Sequence, residues 1–270
     1  MMEIIMKQFR YVIIAGGIFV LLVALGYIFQ VSIITNFWPW PDGRLSYVFV
    51  GSILAAVSAA MLWIGWADEL GALPAGSLNV FVIQVAASIY LFQLYFQGNR
   101  PTLLLYGLAT LAMAIASGLV FLWSRKLPLH DSRSTPRLVY VSFGIFIVIL
   151  ILAGGALIFR QPIFPWDLNP DSSVIFGSIF VGDAFYFLYG LLYPRWHNAL
   201  GQLLSFLAYD LVLIVPFLLL FGTVKPEHML SLIIYIAILV YSGAISIYFL
   251  FINEQTRKWF ALTSTGKTKA

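Results

Sequence analysis

Trp38-Pro39-Trp40-Pro41-Asp42-Gly43-Arg44-Leu45-Ser46, followed by Gly51-Ser52-Ile53, is answered further along the chain by Phe164-Pro165-Trp166-Asp167-Leu168-Asn169-Pro170-Asp171-Ser172 and Gly177-Ser178-Ile179. The offset is constant, because 165 minus 39 and 177 minus 51 both give 126. Pro, Trp, Ser and Gly fall in register without a gap, which a shared apolar background does not produce, so the stretch reads as an internal duplication. Pro101 pairs with Pro226, and Ser117-Gly118 with Ser242-Gly243, at offset 125. One residue is therefore lost between the third and fourth helices of the repeat.

The chain around this repeat is 61% hydrophobic and 10% charged, with a mean hydropathy of +0.95. Soluble domains run at roughly 45–50% apolar and about 25% charged, so this is an integral membrane protein. A hydrocarbon core of about 30 Å needs about 20 apolar residues at 1.5 Å rise each. Eight such runs are present, near 11–35, 46–67, 76–97, 102–124, 137–159, 172–194, 199–222 and 229–252. The first follows Lys7 and Arg10 but is too long for a signal peptide and lacks an A-x-A site, so it reads as an uncleaved helix. There is no cysteine, which excludes disulfides and thiolate chemistry.

The most polar stretch, 124–136, bisects the chain. It divides a first four-helix repeat (1–124) from a second (137–252), with a linker at 125–136 and a tail at 253–270. Four is an even number, so both repeats enter the membrane from the same side, in parallel topology. Inverted-repeat transporter folds are thereby disfavoured. With both termini cytoplasmic, Lys7, Arg10, Arg125, Lys126, Arg133, Arg137, Arg195, Arg257, Lys258, Lys267 and Lys269 lie inside, eleven of the fifteen basic residues. Arg44, Arg100, Arg160 and Lys225 take the opposite side. The net charge of +4 follows from this bias, and no basic cluster points to nucleic acid.

Both Pro-Trp loops, carrying Trp38, Pro39 and Trp40 in one half and Pro165 and Trp166 in the other, then face outward. Ser46 and Asp171 or Ser172 are suited to cap the helices that follow. Trp38, Trp40 and Trp166 on one side, and Trp63, Trp66, Trp123, Trp196 and Trp259 on the other, form the two aromatic belts expected at membrane surfaces. The loops read first as interfacial caps and second as a pair of outward-facing binding loops for a partner, a lipid or an aromatic ligand. Gly51, Ala55 and Ala59, with Ser52, Ala56 and Ala60, let another backbone approach the second helix closely.

Asp183 and Asp210 are the acids deep inside predicted helices. Each lies about 11 residues from a predicted helix end, near the bilayer midplane, where a charged acid costs about 2.5–3.5 kcal/mol. No basic residue is predicted at that depth, so at least one of the acids is expected to be protonated or hydrogen-bonded to partners such as Tyr186, Tyr209 or Ser205. The sixth and seventh helices are expected to be antiparallel neighbours that bring the two carboxyls to one level. At offset 126 Asp183 maps onto Val57 and Asp210 onto Gln84, so the acids belong to the second half alone. Asp183, Asp210, Gln84, Tyr186 and Tyr209 are the candidate proton or ligand site, with interhelical hydrogen bonding as the plainer reading. Asp68 and Glu69 read as exposed acids at a helix end.

His130, His197 and His228 are the three histidines, all at loops, so no intramembrane haem pair exists. H-E-x-x-H, G-x-S-x-G and phosphate-loop motifs are absent, and no cofactor or metal is implied. Pro165-Trp166-Asp167-Leu168-Asn169-Pro170 resembles the Pro-Trp-x-Leu-x-Pro segment of uncharacterised bacterial multi-pass membrane proteins. The first copy departs from it at Asp42 and Arg44. The resemblance covers about 20 residues per half and implies a bacterial inner-membrane location and a duplicated fold only, since that group has no assigned activity. The expectation is an eight-helix membrane protein, permease-like or ligand-binding, with a polar site in the second repeat. The alternative is a non-catalytic accessory subunit, whose partner is another membrane protein or a second copy of the chain.

Overall fold

The computed structural model describes residues 2–98, 100–131 and 133–257. Eight of its helices are long and apolar enough to cross a membrane, which makes the chain an all-α, multi-pass integral membrane protein. They are α1 (Met2–Ile28), α2 (Arg44–Ala67), α3 (Leu73–Gly98), α4 (Pro101–Ser124), α5 (Arg137–Ile158), α6 (Pro170–Leu192), α7 (Trp196–Leu220) and α8 (Met229–Ile247). A π-helical turn at Tyr248–Ile252 extends α8.

Consecutive helices pair as the hairpins α1/α2, α3/α4, α5/α6 and α7/α8. Two further contacts, α2 on α7 and α3 on α6, hold the hairpins together. The α2 and α6 spans are each 61% buried against 17% for α4, so the former two are central and α4 faces lipid. Lipid is as apolar as leucine, so helices in it associate through close packing rather than through a hydrophobic driving force. Glycines supply that closeness. A Cβ at Gly51 would stand 2.6 Å from Ile28 Cγ1 and 3.0 Å from the Ala24 carbonyl oxygen; one at Gly177 would stand 2.8 Å from Ile158 Cγ1 and 2.6 Å from the Gly154 carbonyl oxygen.

The first helix ends earlier than its apolar run, at Ile28 rather than 35, because Gln30 turns left-handed at φ 54°. Gln30 N–H donates to the Tyr27 carbonyl at 3.1 Å and Val31 N–H to that of Gly26 at 2.8 Å. Arg160, at φ 57°, closes α5 in the same way, with Arg160 N–H on Leu157 at 2.8 Å and Gln161 N–H on Ala156 at 2.9 Å. Both are Schellman endings that satisfy carbonyls otherwise left free at a helix terminus.

The two Pro-Trp loops lie together at one end of the bundle, and each reaches across to the other. Trp38 indole N–H donates to Asp42 at 2.8 Å and to the Ser172 hydroxyl at 3.2 Å, while Trp166 donates to the Ser46 hydroxyl at 3.0 Å. Asp42 also accepts from Ser46 at 3.3 Å and from Ser172, so one carboxylate ties the first turns of α2 and α6 together. Capping differs from expectation. Asn169 caps α6 by accepting from Asp171 N–H at 2.9 Å, and Gly43 precedes α2 without a side-chain cap. The serines are thereby released to join the two loops. Under the loops, fully buried Phe49 packs on Phe176 at 4.9 Å and Phe164 at 5.0 Å between ring centroids.

The aromatic belts are thinner than the sequence suggests. Trp40, Trp63 and Trp196 are buried in the core, whereas Trp66 is exposed and Trp38, Trp123 and Trp166 are partly so. Trp63 and Trp196 sit near helix ends, but on the inward-facing side. Trp259, Lys258, Lys267 and Lys269 lie outside the described residues.

Candidate functional site

The α3–α6 contact creates the first polar site. Gly182 lets the two helices close, since a Cβ there would meet Ile83 Cγ1 at 2.3 Å and the Asn79 carbonyl oxygen at 3.0 Å. Asn79 Nδ2 then donates to Asp183 Oδ1 at 2.5 Å. The partners expected from the sequence lie alongside. Tyr186 OH sits beside Ser205, whose hydroxyl donates to the Ala56 carbonyl at 3.0 Å. Tyr209 and Tyr235 share a hydrogen bond at 3.0 Å between hydroxyls. All three tyrosines are near enough to Asp183 to interact with it electrostatically. Fully buried Gln202 donates to the Tyr186 carbonyl at 2.5 Å.

Asp183 and Asp210 are not brought to one level. Asp183 stands nine residues from Leu192 and Asp210 fourteen from Trp196, which at 1.5 Å per residue separates them by about 7 Å in depth. The neighbour expectation also needs correction, because α6 packs chiefly on α5 and α3, and α7 on α2 and α8. Between α6 and α7 runs a looser seam, pinned near the linker face where Gln202 meets Gly190 and Tyr186. Asp183, Tyr186 and Tyr209 keep partial exposure, whereas Asp210 is 5% exposed. Asp210 Oδ1 accepts from Ser242 at 3.0 Å, and its Oδ2 is buried beside Gly243 without a hydrogen-bond partner among the described residues. It links α7 to α8. Gln84 is partly exposed and makes no side-chain hydrogen bond among the described residues.

A second polar cluster, on the linker face, overturns the reading of Glu69 as exposed. Asp68 is left-handed at φ 58° and stays outside near Arg10 at 3.8 Å, while the reversed chain carries Glu69 inward to 1% exposure. Glu69 accepts from His130 N–H at 3.2 Å and meets Nδ1 of both His130 and buried His197. The other ring nitrogen of His197 faces Asp131 at 3.5 Å, and Arg133 forks onto Asp131 at 2.5 and 2.8 Å. Burial raises the Asp131 pKa, but the Arg133 guanidinium and amide outweigh it, and the carboxyl ends below its ordinary value. Nothing local in the sequence signals this cluster, because its members come from a helix end, a linker and the first turn of α7.

On the Pro-Trp face Lys225 donates to Asp167 at 2.6 Å and, with His228, holds that carboxyl below its ordinary pKa. Among the described residues no group of three His, Asp or Glu is disposed to hold a metal ion. Set against models of known protein families, curated proteins and solved structures, the chain matches none of them.

Proposed function

We propose that this is a permease-like or ligand-binding membrane protein built from two same-topology repeats, 1–124 and 137–252, with its polar site at Asp183 in the second. Several paired features support the duplication. Ile28 and Ile158, packed on Gly51 and Gly177, stand at one offset of 130, as do the left-handed Gln30 and Arg160. Asn79 and Ser205 correspond at 126; Asn79 donates across α3–α6 to Asp183, and Ser205 across α7–α2 to Ala56. The α2–α7 and α3–α6 contacts exchange under the same correspondence. The basic bias of the linker face favours placing it and both termini in the cytoplasm.

The observation that carries the site is the contrast between the two acids. Asp210 is 5% exposed and bonded to Ser242 of α8, whereas Asp183 keeps partial exposure, lies near Tyr186, Tyr209 and Tyr235, and pairs with no basic side chain among the described residues. An acid so placed suits a proton or a small hydrogen-bond-donating solute. The test uses purified protein in liposomes that enclose a pH-sensitive dye, driven by a potassium diffusion potential. Wild type is expected to acidify the lumen, Asp183→Asn to do so at least about tenfold more slowly, and Asp210→Asn to keep most of the rate. Equal rates in wild type and Asp183→Asn would remove the site from any proton pathway.

A further inference from the structure

We infer that Glu69 and His197 are the linker-face proton station of the Asp183 site, exchanging a proton with the Tyr186 hydroxyl across the Gly201 turn of α7. This rests on the reading of Asp183 as a proton site. The station is buried yet joined to water. Glu69 and His197 are 1% and 3% exposed, and Glu69 meets Nδ1 of His197. His130, whose side chain is 67% exposed, places its own Nδ1 3.2 Å from the same Glu69 oxygen. The other nitrogen of His197 faces Asp131 at 3.5 Å, and Arg133 pairs with Asp131. A neutral imidazole carries one N–H, whereas carboxylates face both nitrogens of this ring, so it is placed to take up a second proton and to give it back.

One face of α7 leads from the station to Asp183. His197, Gly201 and Ser205 recur every fourth residue and so line up along the helix. Ser205 lies nine residues from Trp196 and Asp183 nine from Leu192, which puts both about 14 Å below the linker-face helix ends. Tyr186, one turn from Asp183 on α6, occupies the depth between, with its hydroxyl beside Ser205 and within electrostatic reach of Asp183. Gln202 holds the Tyr186 carbonyl at 2.5 Å. Gly201 leaves the intervening turn without a side chain. A Cβ there would tilt toward His197, as helical Cβ atoms tilt to the N-terminus, and would stand 3.6 Å from Tyr186 Oη and 3.3 Å from the Trp63 ring. Trp63 also meets His197 edge-on at 5.6 Å between centroids and walls this turn on the α2 side. Four residues of α7, about 6 Å of rise, separate His197 from Gly201, a span that one water molecule bridges. Tyr186 then gives its proton to Asp183 and regains one from the His197 side, while Glu69 and His130 reload His197 from bulk water.

The liposome assay with wild type, Asp183→Asn, His197→Gln and Gly201→Ala tests this, paired with dicyclohexylcarbodiimide labelling of Asp183 and a melting temperature for each variant. His197→Gln is expected to slow the Asp183-dependent flux at least about tenfold, the low end of what a positioned proton-transfer group contributes. Gly201→Ala, which leaves the cluster intact and puts a methyl group in the turn, is expected to slow it as well. Both should remain folded and keep Asp183 as reactive as in wild type. Asp183-dependent flux that neither folded variant slows overturns the proposal alone. Slowing accompanied by lost labelling of Asp183 overturns it too, because the cluster is then structural. Flux that is the same in wild type and Asp183→Asn removes the Asp183 reading and the station with it.

Discussion

Glu69→Ala is expected to cost about 3 kcal/mol of stability and to detach the linker from the bundle, the larger of the two mutational effects foreseen. The side chain is 1% exposed and shared by two histidines, one of them buried His197. Removing one partner from a buried charged cluster costs more than forming it returned, because the groups left behind are desolvated without compensation. His197 would keep Asp131 at 3.5 Å, which limits the loss. Thermal unfolding in detergent and tryptic cleavage at Arg125, Lys126 and Arg133 measure the two effects, and a double-mutant cycle with His197→Ala should return a coupling of at least about 1 kcal/mol. Acid should loosen the same linker. Asp131 titrates below its ordinary value in the folded protein, so its contribution is present above about pH 4 and is lost as pH falls through the lowered value.

Gly177→Ala is the second large effect, expected to destabilise by about 2–3 kcal/mol. The added Cβ would stand 2.6 Å from the Gly154 carbonyl oxygen and 2.9 Å from Ile158 N. These are backbone atoms of α5, so relief requires the whole helix to move. Overpacking is costly wherever neighbours cannot shift, and in lipid, where association rests on contact alone, separated helices regain little. Gly155 is the control, because a Cβ there meets nothing within 4 Å. Gly155→Ala should leave the melting temperature unchanged or raise it through helix propensity. Equal losses at both positions would show that glycine flexibility, not close approach, is what α5 and α6 require.

The features legible in the sequence are those written locally. Eight apolar runs of sufficient length announce eight helices, and Pro101 and Pro170 mark two of their starts. The end of α1 was not legible, since Gln30 is not a residue type that advertises a left-handed stop. Asp183 stood out as a lone acid in an apolar run. Its partner Asn79 did not, because a neutral amide near a helix start is unremarked until α3 and α6 pack. Glu69, His197 and Asp131 were hidden for the same reason, as each looks like a surface residue in its own segment. Asp42 reads as a turn former, and its role in tying two loops together arises only when the loops meet.

The proposal for Asp183 rests on its being a reachable group while Asp210 is a sealed structural link. Modification of the folded protein by dicyclohexylcarbodiimide, an apolar reagent for carboxyls within membranes, followed by peptide mass spectrometry, measures that difference directly. The account predicts labelling at Asp183, absent from Asp183→Asn, with little at Asp210. An unlabelled Asp183, or labelling of Asp210 to the same extent, would contradict it.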